Sequence, residues 1–216
     1  MQIERYIDHT LLKPTATPDA IRQLCAEARE FNFFAVCVNS CYVALAKDEL
    51  KDSGIKIAAV VGFPLGAMST KAKVFEAQFC VDHGADEIDM VINIGWLKFG
   101  EYGLVKDEIT KLKQAIGSRK LKVIIETCYL TAEEKKIASM LVVEGNADFV
   151  KTSTGFGSGG ATFDDIELIK RVIKDKIQIK ASGGIKDKKT AIRYLNMGVS
   201  RLGTSSGIEI VKETNP

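Results

Sequence analysis

The chain has little histidine and no long apolar run. Its two histidines, His9 and His83, are too far apart to form the closely spaced pairs that hold a catalytic zinc ion. We therefore expect no bound metal. No apolar run reaches the roughly 20 residues that cross a membrane, and the first residues are polar. The sequence thus predicts neither a membrane segment nor a signal peptide.

The chain also lacks a strong charge imbalance. Thirty basic residues stand against 28 acidic ones without a long basic run, which gives no electrostatic reason to expect a nucleic-acid partner. The five cysteines are scattered, and four of them lie in or beside apolar segments. Free thiols in a reducing compartment fit this distribution better than a disulfide framework does. We therefore predict a cytoplasmic protein.

Short β-rich segments alternate with amphipathic helical segments along the whole chain. Eight strands are predicted, near 6–10, 35–39, 56–63, 87–93, 121–127, 148–152, 177–182 and 200–204. Six helices are predicted between them, at 18–31, 70–83, 102–116, 131–144, 163–174 and 187–197. This order favours an α/β fold, a single (β/α)8 TIM barrel domain over 1–216. The alternative is an open doubly wound sheet, but its glycine fingerprint after the first strand is missing.

Two lysines stand at the ends of apolar strands, 29 residues apart in the sequence. Lys151 and Lys180 are thus separated by about one βα unit, and active sites of barrels lie at these strand ends. Like charges in a low-dielectric interior repel, so each amine favours the neutral form of the other. A neutral amine can attack a carbonyl carbon and form an iminium ion. The pair therefore indicates a reactive amine.

Strand alternation places other polar side chains beside these lysines inside the barrel. A buried ion-pair network without chemistry explains one lysine–carboxylate pair equally well, but it explains two adjacent lysines less well. A nearby aspartate would shuttle protons for the amine. The predicted inward polar set is Asp8, Thr10, Asp89, Glu126, Lys151 and Lys180.

The loops after the seventh and eighth predicted strands are rich in glycine and hydroxyl groups. They contain Gly183-Gly184 and Ser205-Ser206, and barrels frequently bind phosphate at these two positions through backbone N–H groups. Cys37 and Cys41 do not have the CxxC spacing of a redox or metal pair. Cys37 is therefore expected to line the core or the pocket rather than to act as a nucleophile.

These motifs together resemble the deoxyribose-phosphate aldolase family over nearly the whole chain. The resemblance runs from 8–13 (DHTLLK) to 203–207 (GTSSG), and its most specific parts are 89–93 (DMVIN), 149–155 (FVKTSTG) and 180–184 (KASGG). It implies a class I aldolase with a (β/α)8 barrel and no cofactor. The implied reaction is the reversible cleavage of 2-deoxy-D-ribose 5-phosphate into acetaldehyde and D-glyceraldehyde 3-phosphate.

The resemblance also implies roles for individual residues. Lys151 would form the Schiff base, Lys180 would favour its neutral form, and Asp89 would relay protons. The residues expected to bind substrate or phosphate are Thr152, Gly155, Gly183, Gly184, Ser205 and Ser206, and those expected to line the pocket are Asp8, Thr10, Cys37 and Glu126. Members of the family are usually dimers or tetramers, so we expect a homodimer or homotetramer.

The sequence departs from the longer branch of this family in two places. That branch has a phosphate-assisting lysine after the KTSTG motif, where this chain has Phe156-Gly157. It also ends in a tyrosine proposed to reach the active site, whereas this chain has no tyrosine after Tyr194. Two other functions stay open: a lysine-dependent aldolase for another phosphosugar, and a silent phosphosugar-binding protein. Binding alone does not require two neighbouring amines, which argues against the phosphosugar-binding protein.

Overall fold

A computed structural model of the protein describes residues 2–213 and closes eight parallel strands into a barrel. The strands pair in sequence order, and the last pairs with the first. This confirms the predicted (β/α)8 barrel and excludes the open sheet. Residues 214–216, at the end of the chain where the longer branch has its tyrosine, lie outside the described range. The strands are β1 (Ile7–Leu11), β2 (Ala35–Asn39), β3 (Lys56–Val61), β4 (Glu87–Val91), β5 (Lys120–Ile124), β6 (Phe149–Lys151), β7 (Gln178–Ser182) and β8 (Arg201–Thr204).

The helices follow the strands and surround the barrel. The six predicted helices are confirmed, each with bounds within one residue of the prediction. Three short helices, α2, α4 and α9, were not predicted because segments of six or seven residues carry too little periodicity. Within 2–213, none of the helices has the length and apolarity needed to span a membrane. The helices are α1 (Pro18–Glu30), α2 (Val43–Glu49), α3 (Thr70–Asp82), α4 (Ile94–Phe99), α5 (Tyr102–Ile116), α6 (Ala132–Glu144), α7 (Phe163–Ile173), α8 (Lys188–Asn196) and α9 (Gly207–Lys212).

Side-chain caps fix where several of these helices begin. Thr131 and Glu134 form a reciprocal capping box at α6, in which each side chain accepts a backbone N–H of the other residue. Thr17, Thr162 and Asp187 likewise accept a backbone N–H at the starts of α1, α7 and α8. A cap of this kind stabilises a protein by roughly 1 kcal/mol, since it satisfies a donor that the helix leaves free.

The apolar core lies between the strands and the helices. Ile88, Met90 and Val123 belong to this layer, and all three are fully buried. Each such side chain contributes roughly 1.5–3 kcal/mol by leaving water. Alternation along the same strands turns their other residues into the barrel, where a second, small apolar cluster contains Cys37 and Val60. The barrel interior also contains a set of buried charged side chains.

The strand register brings the two key lysines side by side. Lys151 on β6 is the register partner of Lys180 on β7, and Ile124 on β5 is the partner of Lys151 on its other side. Parallel pairing in register therefore places both lysine side chains at the same height inside the barrel. The loop between β3 and α3 approaches the end of β4 through Gly66, which has a φ of +67°. A Cβ at that position would overlap the Ile92 carbonyl oxygen, so only glycine fits.

Candidate active site

Seven charged side chains lie buried in the barrel interior. Each has at most 6% of its surface exposed, and six of the eight strands contribute to the set. Charged groups are buried in this way only when they pair with one another, because an isolated buried charge is very costly. The seven residues are Asp8, Glu87, Asp89, Lys122, Lys151, Lys180 and Arg201.

The carboxylate of Asp89 is the centre of this cluster. Its Oδ1 accepts a hydrogen bond from Lys122 at 2.6 Å. Its Oδ2 accepts from both Lys151 and Lys180, each at 2.8 Å. Because the two amines share one oxygen, they lie close together at the strand ends, as the sequence spacing predicts. Asp89 thus fixes the relative positions of three lysine amines.

The other two carboxylates bind the cations deeper in the barrel. Asp8 accepts a hydrogen bond from Lys180 and another from Arg201 at 2.7 Å. Glu87 pairs with Lys122 at 2.7 Å and with Arg201 at 3.2 Å. Lys122 and Lys180 therefore each contact two carboxylates at bonding distance, whereas Lys151 contacts Asp89 alone among residues 2–213.

The cluster holds more positive than negative groups. It contains four basic side chains and three carboxylates, so full ionisation would leave one unbalanced positive charge in a buried space. Repulsion in such an environment favours the loss of a proton from one of the amines. Arg201 cannot lose its proton at physiological pH. Among the three lysines, Lys151 has the fewest carboxylate contacts and is therefore the one that ion pairs hold least firmly.

Charge–charge contacts set the pKa values of the groups around Lys151. Burial would raise the pKa of Asp8, but Lys180, Arg201 and Lys122 lower it to about 2. Burial likewise opposes ionisation of Asp89, yet Lys122, Lys151 and Lys180 hold its pKa well below the usual range. Burial would lower the pKa of Lys180, but Asp8 and Asp89 raise it instead. Lys180 is therefore a fixed cation between two fixed carboxylates.

A cavity of about 330 Å³ opens at the carboxyl ends of the strands and has Lys151 in its wall. Three of its lining residues are lysines, namely Lys13, Lys151 and Lys186, and its described lining contains no carboxylate. The cavity is therefore electropositive. The lining residues come from the carboxyl ends of four strands, β1, β6, β7 and β8, and from the loops that follow them. They are residues 10–13, 151, 154–156, 182–186 and 203–206.

Backbone N–H groups add to the positive character of the cavity. The amides of Gly155, Gly183, Gly184 and Ser205 have no acceptor among residues 2–213. The amide of Ser206, by contrast, donates to the Thr204 hydroxyl at 2.9 Å. Free amides on several loops that face one cavity suit an anion with several oxygens.

Most of the expected substrate-binding residues line this cavity. Lys151 and Thr10 lie in its wall, and Asp89 and Lys180 lie buried beneath it. The four glycine and serine positions at 183, 184, 205 and 206 line it together with Gly155. Thr152 does not. Its hydroxyl donates to the Ser182 carbonyl and accepts from the Ser182 amide, both at 3.1 Å, so it joins two strands instead.

Three residues expected to line the pocket lie behind its wall instead. Asp8 and Cys37 are fully buried within the barrel, and Glu126 is 1% exposed. The Asp8 carboxylate bonds to Lys180 and Arg201 inside the barrel, and the Glu126 carboxylate bonds to Thr154 in the loop after β6. Burial raises the pKa of the Cys37 thiol, so Cys37 is a protonated, apolar wall residue.

Sequence reasoning missed Lys122 and Arg201 in the cluster and Lys13, Thr154 and Lys186 in the cavity lining. The alternation that turns Ile124 inward also turns Lys122 inward, and this signal was present in the sequence. The other lining residues lie in loops or at strand ends, where alternation no longer applies. Their positions depend on how each loop folds over the barrel.

The family model described as DeoC/LacD family aldolase matches residues 4–213. The chain therefore belongs to this family of aldolases, which are carbon–carbon lyases. A deoxyribose-phosphate aldolase of Coprothermobacter proteolyticus is 51% identical over 213 residues, which cover 99% of this chain and 97% of the relative.

Solved structures of aldolases have the same fold. The aldolase QR15 superposes with a TM-score of 0.94 at 41% identity, covering 97% of this chain and 94% of QR15. A tetrameric deoxyribose phosphate aldolase from Aeropyrum pernix has a TM-score of 0.89 at 29% identity, with 97% and 89% of the two chains covered. Both similarities extend over nearly the whole barrel.

The depressed pKa of Asp8 predicts a measurable dependence of stability on acid. A carboxyl group with a lowered folded-state pKa stabilises the fold above its unfolded value near 4, and that contribution disappears as pH falls toward about 2. The unmodified protein should therefore lose about 2 kcal/mol of unfolding free energy through Asp8 over this pH range, and Asp8→Asn should not show this loss. Urea unfolding at a series of pH values from about 5 downward measures the slope.

Asp48→Asn provides the matched control, because Asp48 is an exposed carboxylate on α2. It should leave the acid slope unchanged. If Asp8→Asn gives the same slope as the unmodified protein, the interior cations do not hold the Asp8 carboxylate in its charged form. The overall stability of Asp8→Asn should also fall at neutral pH, since Lys180 and Arg201 lose a carboxylate.

Proposed function

We propose that the protein cleaves 2-deoxy-D-ribose 5-phosphate reversibly into acetaldehyde and D-glyceraldehyde 3-phosphate through a Schiff base on Lys151. The observation that carries this proposal is a buried amine with surplus positive charge around it, at the wall of an electropositive cavity. Membership of the aldolase family and the named activity of the Coprothermobacter relative support the same reaction.

The chemistry begins with the free amine of Lys151. Its nitrogen attacks the C1 carbonyl of the open-chain sugar, and loss of water gives an iminium ion. Removal of the proton from the C3 hydroxyl breaks the C2–C3 bond and releases D-glyceraldehyde 3-phosphate. The electron pair of that bond passes into an enamine. Protonation at C2 and addition of water then release acetaldehyde and restore the amine.

Asp89 is the carboxylate that bonds to Lys151 and is the candidate relay for these protons. Because its pKa lies well below the usual range, it remains ionised and binds a proton only weakly. Its main contribution is then to orient the amine and to stabilise the positive iminium ion by charge. Lys180 bonds to the same oxygen and provides the fixed cation that disfavours a proton on Lys151.

The phosphate end of the substrate fits the opposite part of the cavity. Free amides at Gly155, Gly183, Gly184 and Ser205 would donate to its oxygens, while Lys13 and Lys186 supply charge. Both lysines are exposed and have no ion pair among residues 2–213. They lie where the cavity needs cations in the absence of the lysine that follows the KTSTG motif in the longer branch.

We also propose that the protein is a homo-oligomer of the cytoplasm. A tetramer is described for the Aeropyrum pernix aldolase. In this chain Phe75 and Phe79 are exposed one turn apart on α3, and large exposed apolar side chains of this kind mark contact surfaces. The five free cysteines suit a reducing compartment. Sedimentation of the purified protein tests the oligomeric state.

Borohydride reduction in the presence of acetaldehyde is the direct test of the proposed reaction. A Schiff base on Lys151 would be reduced to a stable N-ethyl lysine, which adds two carbons to that residue. Peptide mapping should find this modification at Lys151 in about one copy per chain. Turnover of 2-deoxy-D-ribose 5-phosphate should persist in EDTA.

Labelling at Lys180 would overturn the assignment of the nucleophile, and it would also show that a doubly paired lysine can lose its proton here. The matched control is Lys151→Met, which should abolish both the label and turnover. Cleavage of another phosphosugar in preference to deoxyribose phosphate would leave the Schiff base in place but change the proposed substrate.

Removal of the cation at position 180 should slow Schiff-base formation at neutral pH. In Lys180→Met, Asp89 loses one of its three cations and pairs more fully with Lys151, which then keeps its proton. Trapping of acetaldehyde at Lys151 should fall roughly tenfold or more near pH 7 and recover as the pH rises. The measurement is the rate of borohydride trapping across the alkaline range.

Lys73→Met controls for the loss of a buried lysine as such. Lys73 is also fully buried, but it pairs with Glu108 at 2.8 Å between α3 and α5, outside the barrel. Its replacement should lower stability without changing the pH profile of trapping. An unchanged rate for Lys180→Met at pH 7 would show that Lys180 does not tune the amine.

The phosphate group should account for much of the affinity for the substrate. We expect unphosphorylated 2-deoxy-D-ribose to be a far poorer substrate than its 5-phosphate. Ser206→Asp should remove roughly 100-fold of this preference, because like charges in contact cost a few kcal/mol. The measurement is kcat/KM for the two sugars.

Ser206→Asn is the matched control for charge, since asparagine has nearly the size of aspartate and no charge. It should keep most of the preference for the phosphorylated sugar. Equal kcat/KM for the two sugars in the unmodified protein would remove phosphate from the proposed mode of binding.

A further inference from the structure

Glu126 is a buried carboxylate in a strained position near the cavity. It follows β5 by two residues, and only 1% of its surface is exposed. Its φ of +52° places a non-glycine residue in the left-handed region, which costs roughly 1–2 kcal/mol. No lysine, arginine or histidine within 2–213 pairs with it. Something other than an ion pair must therefore compensate the burial of this charge.

Thr154 provides that compensation. Its backbone N–H lies 3.2 Å from Oε1 and 3.3 Å from Oε2 of Glu126, and its hydroxyl donates to Oε2. The same hydroxyl accepts the backbone N–H of Phe156 at 3.0 Å. One carboxylate thus fixes the start of the loop after β6, and Thr154, Gly155 and Phe156 all line the cavity.

These bonds leave a single free amide in the three-residue wall. The N–H groups on either side of Gly155 are occupied, the first by Glu126 and the second by the Thr154 hydroxyl. The N–H of Gly155 itself has no acceptor among residues 2–213. Gly155 has a φ of +84°, a Cβ at this position would meet no atom within 4 Å, and the residue lines the cavity.

We propose that Glu126 is a positioning residue that presents the Gly155 amide to the phosphate group of the substrate. It acts through Thr154 and does not touch the substrate. This role rests on the proposed function, because it assigns the phosphate end of that substrate to the Gly155 wall. Both oxygens of Glu126 accept hydrogen bonds from Thr154, and Glu126 is not one of the residues that line the cavity.

The role requires a carboxylate rather than an amide. Thr154 offers two donors in one direction, and an ionised carboxylate accepts both. A glutamine has one carbonyl oxygen and one NH₂ group. Its NH₂ group would therefore face either the N–H or the hydroxyl of Thr154, and both of these are donors. If the NH₂ donates to the Thr154 hydroxyl, the direction of that bond is reversed and the hydroxyl proton needs a new acceptor. The bond to Phe156 then weakens, and the wall loses its fixed geometry.

Glu126→Gln tests this role through a split between two kinetic quantities. We expect KM for 2-deoxy-D-ribose 5-phosphate to rise roughly tenfold, as for the loss of one or two hydrogen bonds. The value of kcat/KM for unphosphorylated 2-deoxy-D-ribose and the rate of acetaldehyde trapping at Lys151 should stay within about twofold. Neither readout involves phosphate, so a loosened wall near Gly155 leaves both intact.

Two further variants separate the carboxylate from the backbone and from general damage. Glu126→Gly relieves the positive φ and still removes the carboxylate, so KM should rise as in Glu126→Gln while the fold is retained. Thr154→Val removes the hydroxyl at similar size, and the double variant Glu126→Gln/Thr154→Val should lose little beyond either single one. Glu134→Gln, at the capping box of α6, is the control outside the cavity and should not change KM.

The results distinguish this role from the proposed function itself. Equal losses with and without phosphate, or loss of acetaldehyde trapping, would overturn the positioning role and make Glu126 a structural or catalytic residue. An unchanged KM in Glu126→Gln would overturn it as well. Absence of trapping in the unmodified protein would instead overturn the Schiff-base reaction, and the positioning role with it.

Discussion

The structure depends above all on one carboxylate that three lysines share. Asp89 bonds to Lys122, Lys151 and Lys180 within a closed barrel, and none of these groups could be buried there alone. Taking so many charges out of water is costly, and the apolar layer between strands and helices offsets this cost. The barrel interior is therefore a poor source of stability and a good place for an unbalanced amine.

The sequence predicts the fold well because its signals are local. Period-two strands, capped helices and the gap of one βα unit between Lys151 and Lys180 suffice for the barrel and for the meeting of the two amines. The inward direction of Lys122 was harder to predict, because the alternation in Lys120-Leu121-Lys122-Val123 is also typical of a strand with one face in water. Only closure of the barrel, with β5 between β4 and β6, turns that face inward.

The loops follow no such rule, and there the sequence misled. Alternation along β5 places Glu126 on the inner face, yet the chain leaves the strand at Ile124 and takes a left-handed turn at Glu126. Its side chain consequently reaches sideways to Thr154 instead of into the cavity. For Thr152 the error came from the family motif instead, because alternation already turns it away from the side on which Lys151 lies, and its hydroxyl bonds between β6 and β7. Motifs locate such residues without fixing which way they face.

The two halves of the site are built differently, and this difference has a physical reason. The amine must be held among opposing charges within ångströms, which rigid strands and paired side chains achieve. In the proposed mode of binding, the phosphate group has several equivalent oxygens, so backbone amides from separate loops would share it, and exposed cations such as Lys13 and Lys186 would need no fixed geometry. A lysine after the KTSTG motif is then one of several ways to supply charge. This chain has Phe156 at that position, which lines the rim of the cavity. Among residues 2–213 the hydrogen bond of Phe156 goes to Thr154 and not to any residue of the charged cluster, so the interior does not depend on the residue at this position.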